Sequence, residues 1–194
     1  MNRRDALKGI GLSFGYVVST PTIIGMLQSC KTEAASWIPV FLSKEQGYVL
    51  KNLIDLILPK TEATPGALDV NVPEFIDLYV SKTATEEGKE KYKKGLNAVL
   101  EELGMLSENP PALKTEDFDT ILSKYLRSKP EQQKSYSDKE KLVLKTLEGL
   151  RGRAVWAYKT SEEIGKNVLA YDPVPGEQKG CISLSETNGR AWSL

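Results

Sequence analysis

From Ser43 to Leu169 the apolar residues recur at the three- and four-residue spacing of an α-helix, and the two-residue alternation of a half-buried strand appears nowhere. That restricts the chain to helices packed on helices. Val49, Leu50, Leu53, Ile54, Leu56 and Ile57 form the first stripe, opened by Ser43 with Gln46 three residues on, the pattern of a capping box. Phe75, Ile76, Leu78, Tyr79 and Val80 predict a short buried helix. Thr85 predicts the cap of a helix carrying Tyr92, Leu96, Val99, Leu100 and Leu103, with Gly104 as its stop. After the break at Asn109-Pro110-Pro111, Thr115 predicts the cap of a helix buried through Phe118, Ile121, Leu122, Tyr125 and Leu126. Ser128 to Ser137 reads as a polar loop. A long helix from about Asp138 to Lys159 follows, with Leu144, Leu147, Leu150, Ala154, Val155 and Tyr158 inward and Trp156 packing or facing a partner. Thr160-Ser161-Glu162-Glu163 has capping-box form and predicts a short helix through Ile164, Val168 and Leu169. The expected fold is all-α, a single compact domain of about five to six helices over residues 43–170.

Between the first two stripes lies P-K-T-E-A-T-P-G-A-L-D-V-N-V-P-E-F-I-D, Pro59 to Asp77. Pro59 ends the preceding apolar run, because proline lacks the backbone donor that a helix needs. Pro65-Gly66 reads as a turn in which glycine is free to take positive φ. Pro73 suits the first turn of the next helix. This is a rigid corner. It serves as a structural elbow, or also presents Pro59, Pro65 and Gly66 to a partner.

The residue inventory excludes many chemistries. The chain contains no histidine, the usual general base and metal ligand near neutral pH. A Ser-His-Asp triad, a Cys-His pair and a carboxylate–histidine zinc site are therefore ruled out. Two cysteines, Cys30 and Cys181, cannot form a four-thiolate cluster, and no C-x-x-C-H haem attachment is present. Neither a dinucleotide-binding nor a phosphate-loop glycine pattern occurs. Lys and Arg number 26 and Asp and Glu 26, with no basic patch, so nucleic acid is not an expected partner. No catalytic, cofactor-binding or metal residue is assigned. Asp69, Glu74 and Asp77 are the one carboxylate group that could carry acid–base work. Acidic residues in a first helical turn are expected in any case from the helix dipole.

The first 29 residues read as a leader. Arg3-Arg4, followed by Leu7-Lys8, resembles a twin-arginine export signal, with Ala6 where that signal usually carries Phe. Gly9 to Leu27 is a glycine-rich, mildly apolar stretch like the centre of a signal peptide. Leu27-Gln28-Ser29-Cys30 resembles a lipobox, in which cleavage before Cys30 is coupled to its acylation; Gln28 is unusual there. An uncleaved anchor helix and ordinary peptidase cleavage are the alternatives. Each of the three puts the folded part outside the cytoplasm. Residues 30–42 are then a tether, and several acyl chains on Cys30 would anchor it stably.

Periodicity vanishes from Tyr171 to Leu194, in Y-D-P-V-P-G-E-Q-K-G-C-I-S-L-S-E-T-N-G-R-A-W-S-L. A long structureless segment in a small domain is usually functional or disordered. Its composition is not that of a disordered tail, so an extended irregular arm is expected, packed on its own domain, on a partner, or on both. Tyr171, Asp172, Pro173, Pro175, Gly176 and Cys181 are its candidate interface residues. Cys181 is expected to be a small buried apolar residue, or alternatively a covalent link to a partner.

Three stretches together resemble the gluconate 2-dehydrogenase subunit 3 family: the twin-arginine leader; L-I-L-P-K-T-E-A-T-P-G-A-L-D-V-N-V-P-E-F-I-D, Leu56 to Asp77; and Trp156 to Cys181, with W-A-Y-K-T-S-E-E-I-G and Y-D-P-V-P-G-E-Q-K-G-C. The lipobox cysteine departs from the plainly cleaved signal and suggests a lipoprotein branch. The resemblance implies a small subunit that binds no cofactor. FAD then sits in a separate large subunit of the glucose-methanol-choline oxidoreductase type, and a cytochrome c subunit carrying haem c often takes the electrons. It further implies escort of the folded flavoprotein through the twin-arginine pathway and stabilisation of it afterwards. A membrane-tethered helical module with an unrelated partner is the alternative, and an independent carboxylate enzyme the third.

Overall fold

The computed structural model describes residues 37–107, 111–174, 176–177 and 180–193. Among them are five long helices: α1 (Lys44–Ile57), α2 (Val72–Thr83), α3 (Glu86–Glu102), α4 (Thr115–Leu126) and, after the short α5 (Pro130–Lys134), α6 (Asp138–Thr160). A π-helical turn (Ile164–Val168) and a 3-10 turn (Leu184–Thr187) follow. No strand occurs among the described residues, and the fold is all-α.

α1 and α6 each pack against all the other long helices, so the core is built around this pair. Val49, Leu50, Leu53 and Ile54 of α1 are fully buried. Burial of each such side chain contributes roughly 1.5–3 kcal/mol. They meet Val72, Ile76 and Val80 of α2, Leu96, Val99 and Leu100 of α3, Phe118, Ile121 and Tyr125 of α4, and Val143, Leu147, Leu150, Ala154 and Ala157 of α6 in one core.

Several ends form as expected. Ser43 and Gln46 make a reciprocal capping box, Thr85 accepts from the Gly88 N–H at 3.2 Å, and Gly104 takes φ +73° after α3. Others differ. Thr115 is the first residue of α4 and not its cap; the Asp117 carboxylate instead accepts from the Lys114 N–H at 2.7 Å. The stretch 128–137 is not wholly loop, because Pro130, pre-set for a first helical turn, starts α5. Thr160 does not open a new helix. Its hydroxyl donates back to the carbonyls of Trp156 and Ala157 within α6, and Ser161 likewise donates to Tyr158. The segment beyond winds as a π-turn, a geometry that apolar spacing does not reveal.

The largest departure is in α2. Ile76 and Val80 are buried as expected, but Phe75, Leu78 and Tyr79 are 42%, 47% and 38% exposed. Val155 of α6, expected inward, is 37% exposed. The core takes the i, i+4, i+8 row Val72, Ile76, Val80, which leaves Phe75, Leu78 and Tyr79 facing outward.

Candidate functional site: the corner and the aromatic face beside it

The corner is closed by backbone approach and by local side-chain bonds. Leu58 donates to Ile54 O at the end of α1, and its own carbonyl accepts from the Ala67 N–H at 2.9 Å. Thr61 Oγ1 accepts from the N–H groups of Ala63 and Thr64, folding the tip. Asp69 accepts from the Gly66 N–H at 2.8 Å and pairs with Lys60 at 3.1 Å. The Gly66 N–H, and then Lys60, hold its carboxyl below the ordinary carboxylate range. Gly66 does not take the positive φ expected of it; the left-handed position is Asn71, at φ 54°. Glycine is required at 66 because a Cβ there would lie 2.6 Å from the Lys60 backbone nitrogen. Gly66 is accordingly buried, while Pro59 is exposed and Pro65 half-buried.

The carboxylates that sequence groups together have separate tasks. Asp77 is fully buried. Its carboxylate accepts from three successive backbone N–H groups, those of Val40 at 2.6 Å, Phe41 at 3.2 Å and Leu42 at 2.9 Å. It clamps the incoming chain onto α2, and these bonds occupy the oxygens that acid–base chemistry would need. Asp69 stays at the exposed tip of the corner. Glu74 lies in the first turn of α2, with Oε2 buried and unpaired.

Two segments far apart in the chain meet here. The Tyr158 O–H of α6 donates to the carbonyl of Pro65 at 2.6 Å. Two residues before Tyr158, Trp156 packs on Tyr79 with ring centroids 5.1 Å apart and on Phe75 at 5.6 Å, and Phe75 stacks on Tyr79 at 5.8 Å. The result is an outward-facing cluster of three half-exposed rings, bordered by the corner. Sequence reading missed this face because an α2 that is apolar on every side reads as buried. The signal available was that Val72, Ile76 and Val80 alone complete a core row.

Along the π-turn and the corner runs an open depression of about 790 Å³, lined by Lys60, Thr64, Asp69, Asn71, Glu162, Glu163, Lys166 and Asn167 among others. It carries both charges, and Glu162 and Lys166 pair across one turn at 2.6 Å. Among the described residues no group of three or more His, Cys, Asp or Glu could hold a metal ion.

The segment after Ala170 returns to its own domain. The Ala170 N–H donates to Ala191 O and the Ser193 N–H donates to Ala170 O, each at 2.8 Å, forming a parallel bridge between Ala170 and Trp192. Between these points Tyr171, Asp172, Pro173, Gly176 and Cys181 are exposed, and Pro175 lies outside the described residues. Cys181 is therefore not the buried apolar residue expected. Arg3, Arg4 and Cys30 also lie outside the described residues, none of whose helices is long and apolar enough to cross a membrane.

Comparison with known families gives one match. The family described as gluconate 2-dehydrogenase subunit 3 matches residues 44–176, from the start of α1 into the arm. No curated protein and no solved structure matches the chain. The matched span contains both the corner and the α6 segment that bonds to it, and it covers more than half of the polypeptide. The chain belongs to the gluconate 2-dehydrogenase subunit 3 family.

Proposed function

We propose that this chain is a non-catalytic small subunit that escorts, stabilises and anchors an FAD-dependent sugar dehydrogenase of the glucose-methanol-choline type outside the cytoplasm. The family match over residues 44–176 carries this reading, since the family is named for a third subunit of a dehydrogenase. The inventory supports it: a chain without histidine lacks the usual base that takes the hydroxyl proton while a hydride leaves the carbon for a flavin. The half-exposed rings of Phe75, Tyr79 and Trp156 support docking, because aromatic residues are enriched where protein surfaces meet. FAD belongs to the large subunit, and haem c to a cytochrome where one is present. Arg3-Arg4 directs export through the twin-arginine pathway, and acylated Cys30 holds the complex at the periplasmic face of the membrane.

Purification of the full-length tagged chain from a detergent extract of native membranes tests the assignment. A flavoprotein should elute with it in near-equal amount. Recovery of the chain alone would overturn the reading. Cys30→Ser should move the assembly from the membrane to the soluble periplasmic fraction without dissociating it; an unchanged membrane fraction would remove the lipid anchor from the account.

A further inference from the structure

Between α3 and α6 lies a cleft of about 280 Å³ that begins at Tyr79, the edge of the aromatic cluster. Val80, Ala84, Leu142 and Leu150 give it apolar walls. Its charged lining residues are Lys91, Lys145 and Arg153, and no carboxylate lines it among the described residues. None of these three cations makes a salt bridge among the described residues. Tyr92 lines the same cleft, and its hydroxyl is buried without a hydrogen-bond partner among the described residues. An unpaired buried hydroxyl is destabilising, and native proteins rarely leave one without a reason. The Arg153 guanidinium lies 5.0 Å from the centre of the Tyr92 ring. The half-exposed guanidinium and the Tyr92 ring thus face one half-open cleft, with no carboxylate among its described lining residues. Burial raises the Tyr92 pKa and the Arg153 charge offsets part of the rise; a phenol is a donor at neutral pH in any case.

The opposite wall contains Gly149, in the interior of α6, where a Cβ would meet nothing within 4 Å. Glycine weakens a helix interior relative to alanine. At Gly95 the close approach of Thr146, 2.5 Å from the Cβ position, explains the residue; at Gly149 no group among the described residues does. Space left open beside unpaired cations suits a neighbour that brings both apolar bulk and negative charge.

We propose that this cleft receives an apolar segment of the partner subunit carrying a carboxylate, which the Tyr92 O–H and Arg153 bind together while Gly149 leaves room for the segment's backbone. The inference rests on the chain's role as an accessory subunit. It identifies the part of the surface that recognises the partner: the aromatic cluster supplies contact area, and the cleft supplies register and charge selection.

The test measures affinity between the full-length chain and its flavoprotein at several salt concentrations. Arg153→Glu should weaken the complex about tenfold or more and flatten its salt dependence, because it turns the attraction into repulsion. Gly149→Leu should weaken it comparably by filling the cleft, with the melting temperature unchanged or raised. Tyr92→Phe should cost several-fold, about that of one hydrogen bond. If Arg153→Glu misfolds, Gly149→Leu still decides, since its side chain enters open space. A wild-type chain that binds the flavoprotein together with variants that bind it equally well would overturn the cleft and leave the subunit assignment standing. A wild-type chain that captures no flavoprotein would overturn the assignment itself. If the variants lose binding to vesicles of anionic lipid, or lose self-association, while keeping the flavoprotein, the cleft serves a membrane or a second copy and the proposal fails.

Discussion

Asp77 shows how much organisation one side chain can carry. Its two oxygens satisfy three consecutive backbone donors, the buried Leu42 N–H among them, where the chain enters the domain. Asp77→Ala should lower unfolding free energy by about 3 kcal/mol or more, since it orphans donors as well as removing bonds. Asp77→Asn should cost less, because an amide oxygen still accepts. Denaturant titration checks both, and an alanine variant as stable as wild type would remove the clamp from the account. Tyr125 behaves differently. It is fully buried, donates to Glu102 Oε1 at 2.9 Å, and has Lys124 on the same carboxylate at 2.7 Å. Burial, and then the Glu102 bond, push its phenol up to about 12. Below the ordinary tyrosine pKa of about 10, the folded and unfolded chains hold the same proton. Above it the unfolded chain ionises first, so this group's share of stability is present at neutral pH and lost as pH rises from about 10 toward 12. The loss is about 1 kcal/mol near pH 11, read as a falling melting temperature. Tyr125→Phe should flatten that alkaline decline; a variant with the same decline would assign it elsewhere.

Among the elements, α1, α3 and α6 were legible in sequence because stripe and cap agree: Ser43 with Gln46, Thr85 with Gly104, and the long apolar row of α6. α2 was legible in place but not in face. Its residues are apolar nearly all round, and only the neighbouring helices decide which row is covered. The cap at Thr115 failed because α4 starts there and the Asp117 carboxylate holds the Lys114 N–H instead; the cap at Thr160 failed because a hydroxyl near a helix end can bond backward into the helix, as Thr160 does. The α6 glycines separate packing from openness. Gly152→Ala should raise stability by about 0.5–1 kcal/mol, since its Cβ meets nothing. Gly95→Ala on α3 should lower it by about 1–3 kcal/mol, since Thr146 stands 2.5 Å away. Thermal melts of the pair check the sign at each site, and matching signs would mean that the α3–α6 contact is misread.

At the scale of the whole molecule, two of the three stretches that carry the family resemblance are joined in space; the leader lies outside the described residues. The corner and the Trp156–Tyr158 segment are linked by the Pro65–Tyr158 hydrogen bond, across 93 positions, and by the ring cluster, contacts distant in sequence that no local periodicity could reveal. The return of the arm to Ala170 was equally hidden, because two backbone bonds to a segment without pattern leave no sequence signal. The absence of histidine, by contrast, was visible at once and set the direction of the functional reading. The central claim is that this polypeptide steadies a redox subunit and holds no redox centre of its own. Flavin and haem content, measured by absorbance on the purified chain alone and on the chain recovered with its partner, tests it most directly. The account predicts no cofactor on the isolated chain and flavin near-equimolar with it in the complex; flavin or haem bound to the isolated chain would contradict it.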